Sequence, residues 1–218
     1  MAYKQDKSPG LVVILSSPSG TGKTTICRKL ISRHNDFIFS ISATTRPQRG
    51  KEKNNIDYHF LSETQFDNMV KENKLAEWAY VFEHRYGTPL TEIDKALNHN
   101  KVLLCDIDVQ GGMSLKEIYP LAVTIFLIPP SFTELKRRLS SRRTDSAHQK
   151  AVRLETATKE LQFWHRYDYL VLNKDLKNAT NEVDMIIAAE RLRSIRLSQR
   201  RYWRGTQAAM LGLQEPGV

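Results

Sequence analysis

The 218-residue chain has only two cysteines, Cys27 and Cys105, and no cluster of Cys and His at the spacing zinc needs. Both cysteines fall in apolar stretches. They read as small buried hydrophobes in a reducing compartment, which argues against a disulfide framework and a structural metal. No apolar run approaches the ~18 residues of a membrane span. Met1 to Pro9 is polar and has no apolar h-region, so no secretory signal is expected. Low-complexity segments and internal repeats are absent. Acidic residues are outnumbered, 24 against 33 Lys and Arg, for a net charge of +9. That balance favours a polyanionic partner: a nucleotide, a nucleic acid or an acidic surface. A 40% hydrophobic share is enough for one proper core.

What is present is organised around Ser17-Pro18-Ser19-Gly20-Thr21-Gly22-Lys23-Thr24. The apolar run Leu11 to Leu15 precedes it and Thr25 to Ile31 follows, giving strand, glycine loop and helix. Gly20 and Gly22 let main-chain N–H groups turn inward around a phosphate chain. Lys23 supplies a point charge near the β/γ-phosphates, and Thr24 offers a hydroxyl to Mg²⁺. The helix turns its positive end to the same anion. The stretch resembles a P-loop, with Ser17 where the first glycine is usual.

Further along, apolar strands alternate with amphipathic helices. Strands are expected at Phe37–Ser42, Asp57–Leu61, Leu75–Phe82, Val102–Asp108, Ala122–Ile128 and Tyr169–Leu172. Ser62-x-x-Gln65 and Ser131-x-x-Glu134 open helices as capping boxes. Pro89 suits a first helical position, with Thr88 as its cap. A helix is expected from Ala151 to Trp164. Val183 to Arg204 reads as a long basic helix with Met185, Ala188, Ala189, Leu192 and Ile195 as its apolar stripe. Such alternation predicts a doubly wound parallel α/β sheet, with ligands beyond the C-terminal strand ends. The glycine loop, Ser42 and the pair Asp106/Asp108 all fall at such ends.

A second phosphate-bearing substrate needs cations for its phosphate and hydrogen-bonding groups for its base. Arg46 and Arg49 lie three apart after a strand end, and guanidinium forks suit phosphate. Tyr58 and Tyr86 offer phenols. Glu77 and Asp108 are carboxylates in apolar surroundings. Guanine presents N1–H and N2–H₂ to such acceptors, where adenine points a lone pair at them. Each residue also has a plain structural explanation: loop charges, rim packing, a paired acid, a helix cap.

Taken jointly, Ser42 to Arg49, Asp57-Tyr58-His59-Phe60, Glu77-Trp78-Ala79, Tyr86-Gly87-Thr88 and Asp106 to Gly111 resemble guanylate kinase, over about Leu11 to Ile187. The resemblance implies Mg²⁺-dependent transfer of the ATP γ-phosphoryl to GMP. It also implies a P-loop core over 11–41, 89–128 and 165–190, a small mixed-β GMP-binding sub-domain over 42–88 and a helical lid over 129–164. An N-terminal arm, 1–10, and a basic C-terminal helix and tail, 191–218, flank them. By the same resemblance, Ser42, Arg46, Arg49, Tyr58, Glu77, Tyr86, Gly87, Thr88 and Asp108 hold GMP. Pro18, Ser19, Gly20, Thr21, Gly22, Lys23, Thr24, Thr25, Arg138, Arg142 and Asn173 hold ATP. Thr24 and Asp106 serve Mg²⁺, directly or through water. Lys23, Arg46, Arg138 and Arg153 form the catalytic group, because phosphoryl transfer rests on positioning and charge neutralisation. Arg143 stands where the family often has glycine. A protein-binding module on the same scaffold, and a kinase of another small phosphorylated acceptor, are the alternatives. The basic terminal helix is expected to be a solvated face or a contact between subunits, ahead of a nucleic-acid surface. The expected location is the cytoplasm.

Overall fold

The computed structural model describes residues 10–18, 20–140 and 147–197. In chain order, β1 (Leu11–Ser16) enters α1 (Lys23–Arg33), followed by β2 (Phe37–Phe39), β3 (Ala43–Thr44) and β4 (His59–Phe60). Then come α2 (Glu63–Lys71), β5 (Leu75–Val81), β6 (His84–Pro89), α3 (Leu90–Asn98), β7 (Val102–Asp106) and α4 (Val109–Ile118). The remainder is β8 (Val123–Ile128), α5 (Phe132–Ser140), α6 (Ala147–Glu160), a 3₁₀ segment (Leu161–Arg166), β9 (Tyr169–Leu172), α7 (Leu176–Glu190) and a single turn α8 (Ser194–Leu197).

Five strands form one parallel sheet in the order β2-β7-β1-β8-β9. β1 is central and apolar along its whole length because both faces are covered. Leu11, Val13 and Leu15 pack with Ile26 and Leu30 of α1 and Val183 and Ile187 of α7. Val12 and Ile14 pack on the other face, with Ile93 and Ala96 of α3 and Leu115 of α4. A second, mixed sheet runs β4-β3-β6-β5. Its β3–β4 pair is parallel and its β3–β6 and β5–β6 pairs are antiparallel. The expected strand Phe37–Ser42 is thus divided: its first half joins the parallel sheet, and the chain then crosses to the second sheet at Ala43.

Ser62 and Gln65 form the capping box foreseen for α2, each side chain accepting from the other's main-chain N–H. The start of α3 differs from expectation. Pro89 is itself the N-cap and closes β6, and the Thr88 hydroxyl is spent elsewhere. α5 and α6 pack through Leu135, Leu139 and Ala157, with Leu154 against them. α6 starts four residues earlier than its sequence pattern and tightens to 3₁₀ at Leu161.

The long terminal helix is corrected. Asp175 caps α7 through the Asn178 N–H, so the helix starts at Leu176 and ends at Glu190. That phase buries Ala179, Val183 and Ile187, while Met185 (62% exposed), Ala188, Ala189, Leu192 and Ile195 face outward. The break after Glu190 has an electrostatic cause. Glu190 is 3% exposed and accepts from Tyr169 Oη (2.7 Å), Arg196 Nη2 (2.9 Å) and Arg193 Nη1 (3.3 Å). Arg196, 6% exposed, also donates to the Leu121 carbonyl at 2.6 Å. Arg191 pairs with Asp36 and lies over the Phe37 ring. Arg191 and Arg196 are therefore turned back onto the fold while Arg193 stays exposed, and the expected basic helical face does not form over 191–197. Arg200 and Arg204 lie outside the described residues. Removing one partner of a buried ion pair strands the other. Glu190→Ala is therefore expected to cost about 3–5 kcal/mol in a urea titration, and a loss below about 1 kcal/mol would show that the knot does not hold the segment.

Candidate active site

At the glycine loop, the backbone does what the spacing requires. Gly20 and Gly22 take positive φ values of 87° and 99°, a region costly for side chains with a Cβ. Ser17 does not need glycine's freedom, since its backbone stays out of that region. Its hydroxyl donates to the Pro18 carbonyl at 2.9 Å and accepts from Lys23 Nζ at 3.1 Å. Lys23 Nζ also reaches the Ser17 carbonyl at 3.2 Å and lies 3.8 Å from Asp106. The Thr24 hydroxyl donates to the Asp106 carboxylate. Pro18 and Thr21 are buried, and the Thr21 hydroxyl bonds the Pro18 carbonyl at 2.7 Å. Thr25 is exposed as the third residue of α1, and Ser19 lies outside the described residues.

Two distant segments reach this loop. Asn173, at the end of β9, donates through Nδ2 to the Thr21 carbonyl. Arg138 of α5 donates to the Asn173 carbonyl at 3.3 Å and the Thr21 carbonyl at 3.5 Å, while Glu134 holds its Nε. Arg153 of α6 is placed otherwise: its guanidinium lies 4.7 Å from the centre of the Phe82 ring, at the β5–β6 turn. Arg142 and Arg143 are outside the described residues.

The other half of the site is built on the second sheet. Arg46 is buried against Tyr58, its guanidinium 5.2 Å from the ring centre, and Nε donates to the Tyr86 hydroxyl at 3.1 Å. Tyr58 and Tyr86 meet edge to face. Burial first, then the Asp106 charge, push the Tyr58 phenol up to about 12, so it stays a donor at neutral pH. Arg49 is exposed on the same loop, and Ser42 is buried just before β3.

Glu77 is 7% exposed in β5, at a bulge that shifts its register with β6. Thr88 donates to Glu77 Oε1 at 2.6 Å, which is where the supposed helix cap is used. Gly87, next to Thr88 in β6, pairs with Trp78, and a Cβ there would come within 2.9 Å of the Glu77 carbonyl. Asp108 caps α4 by accepting from the Gly111 N–H at 2.7 Å. A Cβ on Gly111 would lie 2.7 Å from Glu77 Oε2 and 3.4 Å from Asp108 Oδ1. The two carboxylates therefore converge over a position that only glycine leaves open. Burial, helped by the Asp108 charge and opposed by the Thr88 bond, raises Glu77 to about 7; burial also raises Asp108.

Residues 10–190 match the family model described as guanylate kinase. The chain belongs to the guanylate kinase family. A guanylate kinase of Syntrophotalea carbinolica is 45% identical over 191 residues, spanning 88% of this chain and 91% of that protein. One from Nitrobacter hamburgensis is 46% identical over 185 residues, 84% of each chain. The crystal structure of guanylate kinase from Anaplasma phagocytophilum superposes with a TM-score of 0.78 at 28% identity, covering 95% of this chain and 98% of that one.

Guanylate kinase relatives align with nearly the whole described fold, whereas some partners inside the site are visible only in space. Glu52 takes both terminal nitrogens of Arg46, and Ser16 Oγ donates to the Asp108 carbonyl at 3.1 Å. Glu52 sits six residues after Arg46 and three after Arg49, a charge pattern that could have drawn attention to it. Ser16 carries no such signal.

Proposed function

We propose that the chain transfers the γ-phosphoryl group of ATP reversibly to GMP, and to dGMP, giving ADP and GDP. One observation supports this most. Asp106 and Asp108, two residues apart at the C-terminal end of β7, serve the two halves of the site: Asp106 meets Thr24 of the glycine loop, and Asp108 converges with Glu77. A phosphate chain on the loop and a purine on the paired acids would thus lie at adjacent strand ends.

On this reading Pro18 to Thr25, Arg138, Asn173 and Arg142 bind ATP. Ser42, Arg46, Arg49, Tyr58, Tyr86, Gly87, Thr88, Glu77 and Asp108 bind GMP. Lys23, Arg46, Arg138 and Arg153 balance charge on the transferring group. The second sheet, 42–88, acts as the GMP-binding unit and the α5–α6 pair, within 129–164, as a lid. Arg153 would leave the Phe82 ring as that lid closes and water is expelled. The hydroxyl of Thr24 and the carboxylate of Asp106 are hard oxygen donors of the kind Mg²⁺ accepts, alongside substrate phosphates and water. Held there, Mg²⁺ would supply charge neutralisation for the phosphates. The buried free thiols Cys27 and Cys105 suit the reducing cytoplasm.

The test is turnover with ATP, Mg²⁺ and each of GMP, dGMP, AMP, CMP and UMP. Phosphorylation of GMP and dGMP should exceed that of AMP by about 10³-fold or more in kcat/KM. Equal rates with AMP would remove the paired acids from base selection.

A further inference from the structure

The carboxylate of Glu52 stands beside the proposed phosphate grip, where a negative charge should weaken attraction for a phosphate. Its geometry gives it another task. Glu52 Oε1 and Oε2 accept from Arg46 Nη2 (2.9 Å) and Nη1 (3.0 Å), a fork-on-fork pair on the terminal edge of the guanidinium. Nη1 also donates to the Pro47 carbonyl at 2.8 Å, and Nε to the Tyr86 hydroxyl at 3.1 Å. Four of the five N–H groups are thereby engaged. The fifth, on Nη2, lies on the Nε edge of the planar group, the edge that carries Tyr86. Glu52 Oε2 further accepts from the Arg49 main-chain N–H at 2.8 Å, and the Glu52 N–H closes the turn onto the Arg49 carbonyl at 3.0 Å.

We infer that Glu52 is a positioning residue for the phosphate of the acceptor nucleotide. It occupies the rear edge of Arg46, so that the Nε–Nη2 edge is turned, with the Tyr86 hydroxyl, toward the phosphate. It also fixes the turn that carries Arg49. Arg46 is only 5% exposed, and a buried guanidinium left without a counter-ion is costly and would be drawn toward water, away from this geometry. The cost is some long-range attraction; the gain is a donor edge held in place before substrate arrives. This assignment rests on the GMP site proposed above.

The experiment compares wild type with Glu52→Gln and Glu52→Asp, using GMP as substrate and guanosine as a competitive ligand lacking phosphate. Wild-type turnover of GMP tests the site itself, separately from the inference. For Glu52→Gln, KM for GMP should rise about tenfold or more, with kcat within about threefold and guanosine inhibition unchanged. Glu52→Asp keeps the charge but is one methylene shorter, and should fall between. An unchanged or lower KM for GMP in Glu52→Gln would overturn the assignment, the lower value marking Glu52 as a competitor of the phosphate. Equal weakening of GMP and guanosine would also overturn it, because a general loosening of the sheet spares neither ligand.

Discussion

Lys23→Ala is expected to lower turnover by about 10³-fold while leaving GMP affinity within about threefold of wild type. The asymmetry follows from where the ammonium sits. Nζ is held by the carbonyl and hydroxyl of Ser17 and lies near Asp106, all on the glycine-loop side. None of its contacts involves Arg46, Tyr86, Glu77 or Thr88. Positive charge aimed at the oxygens of a transferring phosphoryl group acts where charge moves in the transition state, so its loss falls on kcat. Folding should be little affected, because the chain loses only partly exposed polar contacts. Trp78 follows Glu77 directly in β5, so its fluorescence offers a GMP titration independent of turnover. Turnover within tenfold of wild type would remove Lys23 from the chemistry. A parallel collapse of GMP affinity would show that the two halves of the site are not separable.

The second large effect concerns Glu77 and carries opposite signs for function and stability. Glu77→Gln is expected to cut kcat/KM for GMP by about 10²-fold or more, since on the proposed reading a carboxylate that would accept two guanine N–H groups becomes an amide with one acceptor oxygen. On the proposed reading, recognition of the base needs ionised Glu77, while burial and Asp108 hold the group near 7. KM for GMP should therefore rise as pH falls through about 7, and Glu77→Gln should lose that dependence. Stability runs the other way. A carboxyl whose pKa is raised on folding binds more protons folded than unfolded. Its contribution is most favourable below the unfolded value near 4.5 and is lost as pH rises toward 7. Without nucleotide, the cost at pH 8 is on the order of 3 kcal/mol as an upper figure. Glu77→Gln should accordingly melt higher than wild type at pH 8 and nearly equal to it at pH 5. A pH-independent KM for GMP between pH 6 and 8 would exclude an ionisation of Glu77 from base recognition.

Much of the framework was legible because its signals are local. A five-residue apolar run before a glycine loop announces a strand buried on both faces. A serine three residues before a glutamine announces the start of α2. Guanylate kinase membership was legible from short motifs kept in order. Errors arose where one residue can serve two partners. Thr88 could cap a helix or bind a carboxylate, and β-sheet register against Glu77 decided for the carboxylate. The stripe through Met185 and Leu192 has helical spacing, but so does the one through Ala179, Val183 and Ile187. Asp175 fixes where α7 starts, and packing against the sheet selects the second stripe. The arginines after Glu190 looked like an open basic face because the Asp36 carboxylate that holds Arg191 and the Leu121 carbonyl that holds Arg196 are far away in the chain.

Residue order alone determined the strand–loop–helix that can cradle phosphate, the alternation that builds a parallel sheet, and the kinds of side chain offered to a purine nucleotide. Local backbone preference and hydrophobic periodicity act over a few residues, so they survive without knowledge of the fold. Tertiary structure decided which groups face one another: Glu77 against Asp108 over Gly111, Glu52 behind Arg46, and Arg196 buried on Glu190. The first depends on sheet register and burial between distant segments; the other two lie six residues apart, where charge spacing suggests a pair but fixes neither its burial nor its orientation.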